Sequence, residues 1–166
     1  MMRLIAAVRP LRSDFSFLTG WEAVLVPMLM IGCDGGTHAS SNAVPKVTRR
    51  MYELSVAGNY AEAMQWQYRI LELFDAMLFP FEFPDGFRAA AELRGFRFGS
   101  GRQPKTSAQR SDSAALTSVL QCILADFELV ARPASGCAPR IQQADVDKVE
   151  QVVFEVMREL EKRGVF

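Results

Sequence analysis

Two short segments, "FSFLTG" and "GGTHAS", bracket one apolar stretch, and after Asn42 every amphipathic pattern has helical period. That order limits the fold more than any other feature of the chain. Phe15, Phe17 and Leu18 read as a short buried strand that Gly20 ends, and the second segment reads as a second short strand. Between them "WEAVLVPMLMIG" predicts a helix over residues 21–31, closed by Gly32, with Pro27 imposing a kink or a late start. Strand, helix, strand make a βαβ unit with parallel pairing and a right-handed crossover. Two parallel strands alone are not a stable sheet, because parallel sheets are covered on both faces and need further strands. The fold class is therefore α/β, mostly helical, and the strands read as part of something larger.

The remainder is helical. Met2–Val8 reads as the end of an amphipathic helix stopped by Pro10. Pro45 suits the first turn of a helix whose inner face is Val47, Met51 and Leu54 and which Gly58 ends. Asn59 with Glu62 forms an imperfect capping box for a helix carrying Met64, Gln67, Leu71, Phe74 and Leu78 along one side. "FPFEFPDG" is a break, Phe87–Arg94 a short helix closed by Gly95, and "GFRFGSGRQP" with Thr106–Arg110 a loop. Leu116, Val119, Leu120, Ile123 and Phe127 stripe another helix. Val146, Val149, Val153, Val156 and Leu160 stripe the last, with Asp145 as cap and Gly164 as stop.

With 166 residues the chain can build one domain with a real core. Lys plus Arg and Asp plus Glu are equal at 19 each, which argues against a partner held through nucleic-acid phosphates. The apolar run "AVLVPMLMIG" is too short to span a bilayer, so no membrane is expected. Cys33, Cys122 and Cys137 have neither a disulfide-framework pattern nor a zinc spacing, so a reducing, cytoplasmic setting and no metal are expected.

"FSFLTGWEAVLVPMLMIGCDGGTHASSNAVP", then "AGNYAEAMQWQ", "FRAAAELRG" and "GRQP", resembles the C-terminal half of the dihydrodipicolinate synthase/N-acetylneuraminate lyase family. The resemblance runs from about Met1 to about Phe127; the tail from Ala131 lies outside it. It implies a C-terminal fragment of a TIM (β/α)8 barrel. Residues 1–57 would be the last βα units, with strand seven at Phe15–Thr19 and strand eight at Thr37–Ser40. Residues 58–166 would be a C-terminal helical extension. A whole barrel takes about 250 residues, so the chain would keep the last two strands of eight.

The resemblance also implies a pyruvate-dependent lyase or aldolase chemistry on 2-oxo acids through a lysine Schiff base, with no cofactor, and a homo-oligomer for the full-length enzyme. The family's lysine and tyrosine sit on strands six and five, upstream of Met1. An imine-forming lysine needs an apolar pocket to lower its pKa. Lys46, Lys105, Lys148 and Lys162 fall on predicted helices or loops, so no catalytic residue is assigned and the chain alone is expected to be inactive. Substrate-binding positions carried over are Thr37 on strand eight, mainly through its backbone, and Gly20 and Glu22 on the loop after strand seven. Glu22 replaces an aspartate and Ala23 an acidic residue of the sialic-acid-cleaving members, which argues against that substrate. Two of these positions have a plainer reading: Gly20 as a turn, Glu22 as a first-turn carboxylate favoured by the helix dipole. His38, the single histidine, is expected to point away from Thr37 into the helices, packed and hydrogen-bonded. The competing function is a non-catalytic helical module kept for packing or assembly.

Overall fold

A computed structural model describes residues 1–99, 101–102, 104–137 and 143–163, the side chains at 108–112 and 143–150 excepted. Gln103 of "GRQP" and Gly164, the expected stop of the last helix, lie outside the described residues. Two compact units are present, Met1–Ala134 and Ser135–Phe166.

The first unit begins with α1 (Met2–Val8), β1 (Leu18–Thr19), a 3-10 turn (Glu22–Val24), α2 (Leu25–Met30) and β2 (Gly35–Gly36). β1 and β2 pair in parallel, Leu18 opposite Gly35 and Thr19 opposite Gly36. Asp34 N–H donates to the Phe17 carbonyl (2.8 Å) and Thr37 N–H to the Thr19 carbonyl (2.8 Å), which carries the pairing one step past each end. The expected βαβ unit is therefore there, with its second strand placed differently. Thr37 and His38 follow β2 outside the regular ladder, and Ser40–Asn42 is a 3-10 turn, not strand. Phe17 is buried, but Phe15 and Leu18 are about half exposed, at 47% and 52%. The helix expected over residues 21–31 starts late, as Pro27 allowed: the 3-10 turn precedes it and Pro27 falls in its first turn.

Four helices complete the unit: α3 (Pro45–Val56), α4 (Tyr60–Leu78), α5 (Asp85–Leu93) and α6 (Ser107–Asp126). α3 is amphipathic as read, with Val47, Met51 and Leu54 buried against α2 and α4. Gly58 follows it at φ +78°, the left-handed geometry that closes a helix and that side chains disfavour. Asn59 precedes α4 without a side-chain cap bond, and Glu62 pairs with Arg50 at 2.8 Å instead of closing a capping box. On α4 the buried set is Ala63, Gln67, Ile70, Leu73, Phe74 and Met77; Met64, Leu71 and Leu78 are only half buried. α6 starts at Ser107, so its first turns replace the expected loop, and Val119 is exposed while Leu120, Ile123 and Leu124 fill the core. Arg69 lies between the Trp66 and Phe127 rings, 4.7 and 4.9 Å from their centres, and ties α4 to the end of α6. The second unit holds α7 (Gln143–Lys162), which begins before Asp145, so that residue is not its cap. Cys122 and Cys137 are disulfide-bonded, contrary to the expectation from their spacing, and Cys33 is the free, buried cysteine.

Candidate functional site

A parallel pair this short is held by what clamps its two ends. At the N-terminal end the Asp34 carboxylate accepts from Phe17 N–H at 2.8 Å and from the Arg9 guanidinium at 2.9 and 3.2 Å. Arg9 also donates to the Gly32 carbonyl at 2.7 Å, so the residue after α1 grips the turn into β2. The Arg9 bond, and then the Phe17 N–H, hold the Asp34 carboxyl below the usual aspartate value. This clamp contributes stability above that usual value and loses it as pH falls through the depressed one.

At the C-terminal end the two connecting loops meet. Thr19 leads into Gly20, Trp21 and Glu22; Gly36 leads into Thr37, His38 and Ser40. Glu22 is 3% exposed, and its Oε1 accepts from Ser40 N–H at 2.6 Å, bridging one loop to the other. Gln67 of α4 supports the same loop from beneath. Its Nε2 donates to the Glu22 carbonyl at 2.8 Å and its Oε1 accepts from Val26 N–H at 3.0 Å. Both bonds are buried, so the amide satisfies two backbone groups that water cannot reach.

His38 faces the helix side, as its alternation with Thr37 required, but it is not hydrogen-bonded as expected: Nε2 is buried without a partner among the described residues. Burial holds its pKa below the ordinary histidine value, and the nearby Glu22 carboxylate opposes that shift. The ring lies over the α-carbon of Gly36, where a side chain would overlap it. Gly36 and His38 line a groove of about 510 Å³ between the sheet and α3, closed by Leu18, Thr48, Arg49 and Tyr52. Gly36→Ala is expected to turn the ring out toward water at small cost in stability, because the displaced group is a side chain. The imidazole titration followed by NMR should then rise toward the ordinary histidine value. In the parent chain, stability contributed by the neutral ring is complete above that ordinary value and falls as pH drops through it, since the unfolded state binds the proton more readily.

Of the three positions expected to bind substrate, Gly20 and Thr37 are exposed at one end of the sheet. Glu22 belongs to the same end, but its carboxylate is turned inward onto Ser40. None of the three lines the groove beneath α3. Sequence reasoning missed Asp34, Arg9 and the bracing role of Gln67. A polar side chain in an otherwise apolar helical stripe was the visible signal for Gln67. No cluster of metal-ligating side chains occurs among the described residues, and none of their helices is long and apolar enough to cross a membrane.

A parallel βα pair whose strand ends carry the convergent loops, backed by packed helices, is the build of a βα-barrel protein. The chain belongs to the dihydrodipicolinate synthetase family, which matches residues 1–123. It is 31% identical over 93 residues to an uncharacterized DapA-like lyase of Thermofilum pendens, covering 56% of this chain and 31% of that one. It is 33% identical over 117 residues to the 4-hydroxy-tetrahydrodipicolinate synthase of Synechococcus elongatus, covering 70% and 39%. Its fold matches that of YagE, a prophage protein of the dihydrodipicolinic acid synthase family from E. coli K12 solved with pyruvate, at a TM-score of 0.62 and 21% identity, covering 77% and 42%. The chain thus spans about a third to two fifths of these proteins' lengths.

Proposed function

We propose that this chain supplies part of the 2-oxo-acid-binding wall of a Schiff-base lyase and that the imine-forming lysine comes from polypeptide outside it. The observation that carries the reading is the position of Gly20 and Thr37. Each directly follows a paired strand residue, Thr19 or Gly36, at the carboxyl end of the sheet, where βα-barrel enzymes do their chemistry. Thr37 N–H is bonded to Thr19, which leaves its carbonyl and side chain to face a ligand. The buried Glu22 bridge to Ser40 acts as a brace that fixes the two loops relative to each other, in place of direct contact with substrate. The pyruvate bound to YagE supports the 2-oxo acid class.

The lysines support the second half of the reading. Lys46 and Lys162 are exposed, and Lys105 is paired with Asp85 at 2.6 Å. An imine-forming lysine is set in a desolvating pocket with its amine directed at the substrate, and neither an exposed side chain nor one held by a carboxylate is placed that way. The test mixes the whole chain with a polypeptide carrying the preceding strands of the Synechococcus synthase, then adds labelled pyruvate and borohydride. Label is expected on the added polypeptide, and only when this chain is present. Labelling that ignores this chain, or none in a mixture shown to associate, would overturn the reading in favour of a non-catalytic packing module.

A further inference from the structure

Two bases and two acids, Arg88 and Lys105 with Asp85 and Glu92, line a cavity of about 590 Å³ between α5, α6 and the loop that joins them. One of each sign is already paired. Lys105 meets Asp85 at 2.6 Å, a half-buried bridge that ties the loop to the first turn of α5. The other two stand open. Arg88 and Glu92 are four residues apart on one face of α5, the spacing at which a helix ordinarily closes an ion pair. On α3 the same spacing in the same order does close, Arg49 to Glu53 at 2.8 Å. On α5 it does not. Among the described residues the side chains of Arg88 and Glu92 make no ion pair or hydrogen bond, with each other or with Asp85 or Lys105. The half-buried Arg88 guanidinium is turned to the loop instead, where a β-carbon on Gly101 would stand 3.7 Å from its Nη1. Gly101 therefore keeps the wall beside Arg88 free of a side chain, and the guanidinium donors face the cavity.

We propose that this cavity binds a small zwitterion of the free α-amino-acid class, its carboxylate taken by Arg88 and its ammonium by Glu92. The open pair selects the class. A simple anion would satisfy Arg88 and crowd Glu92, and a simple cation would do the reverse. A ligand carrying both signs on adjacent atoms answers both side chains at once. Residues four apart on a helix have β-carbons about 6 Å apart, a gap that an amino-acid head group bridges. The guanidinium fork suits a carboxylate, which it can bind through two parallel bonds. The half-buried Ser113 on α6 adds a hydroxyl to the same cavity. The volume falls within the range of about 300–1,000 Å³ usual for small-molecule sites, so a side chain fits beside the head group. None of Gly20, Glu22 and Thr37 lines this cavity, so the proposal stands apart from the lyase reading.

The test titrates the full, isotope-labelled chain by NMR with L-alanine, L-leucine and L-glutamine. Propionate and ethylamine are the controls, being alanine without its ammonium and without its carboxylate. At least one amino acid should shift the amides of Arg88, Glu92, Gly101 and Lys105 saturably, with a Kd of about 1 mM or below. Propionate and ethylamine should each bind at least about tenfold more weakly, the loss of one charge-assisted bond. Arg88→Gln and Glu92→Gln should each weaken the amino acid by about tenfold or more. Trp21 and Trp66 lie in the same unit as the cavity, so unchanged tryptophan fluorescence will show that the variants fold. The comparison with propionate and ethylamine needs no variant. No saturable shift with any of the three amino acids, a control that binds as strongly as they do, or folded variants that bind undiminished would each overturn the proposal.

Discussion

Replacing Gln67 by methionine will destabilise the first unit by about 4 kcal/mol, although side-chain volume is nearly conserved. Gln67 is 2% exposed, and its amide satisfies the Glu22 carbonyl and the Val26 N–H. Methionine keeps the packing and leaves both backbone groups buried and unpaired. Each orphaned group costs about 1–3 kcal/mol. At the size of this chain the loss corresponds to a fall in Tm of about 12 °C. Denaturant and thermal unfolding measure it, and a loss below about 1 kcal/mol would mean that the loop finds water or another partner. The prediction bears on the site, because the same two bonds hold the segment from Glu22 to Val26 that carries the brace to Ser40.

Gly86→Ala should destabilise the fold by about 3 kcal/mol through overpacking. Gly86 is buried at the start of α5, where a methyl group would overlap the Met77 carbonyl and crowd the Phe81 ring. The Met77 obstacle is backbone of α4 and cannot swing aside as a side chain can. α4 and α5 must therefore separate or tilt, which opens the contact between Phe74 and Phe87, now 6.2 Å between ring centres. Gly36→Ala is the internal contrast, since the group it meets is a movable imidazole. Chemical denaturation of the two variants side by side checks the argument. Equal losses would show that the rigidity of the neighbour does not matter.

These contacts mark where the sequence was legible and where it was not. The β–α–β order, the late start of α2 at Pro27 and the inner face of α3 follow from local pattern, and local pattern survives packing. The buried stripe of α4 was read partly from its large side chains, whereas packing chose Ala63, Ile70, Leu73 and Met77 beside Gln67 and Phe74. Small Ala63 marks a close approach that size-based reading passes over. The residue pattern marks "GGTHAS" as the second strand, and the pairing falls on its first two residues and not on the Thr37–Ser40 that the family resemblance implied. Its pairing is set instead by contacts across the fold. Asp34 binds Phe17 N–H at one end, and Glu22 captures Ser40 N–H at the other, where the chain turns into the 3-10 segment. Neither contact leaves a trace in local composition. The resemblance implied strand eight at Thr37–Ser40, whereas the chain ends β2 at Gly36 and turns Glu22 inward onto Ser40.

The exposed apolar side chains have a common position. Leu18, Trp21, Val24 and Met30 are each more than a third exposed on or next to the βα unit. Singly they would mean little; together, beside a two-stranded sheet, they form an exposed apolar surface.

The most direct test of the central claim is borohydride reduction of the chain alone with pyruvate, followed by intact-mass analysis and peptide mapping. The account predicts unmodified protein, because Lys46 and Lys162 are exposed and Lys105, though it lines a small cavity with Phe81 and Leu116, is held by Asp85. A pyruvate adduct on Lys46, Lys105, Lys148 or Lys162 would contradict it, and would show that this chain forms the imine itself.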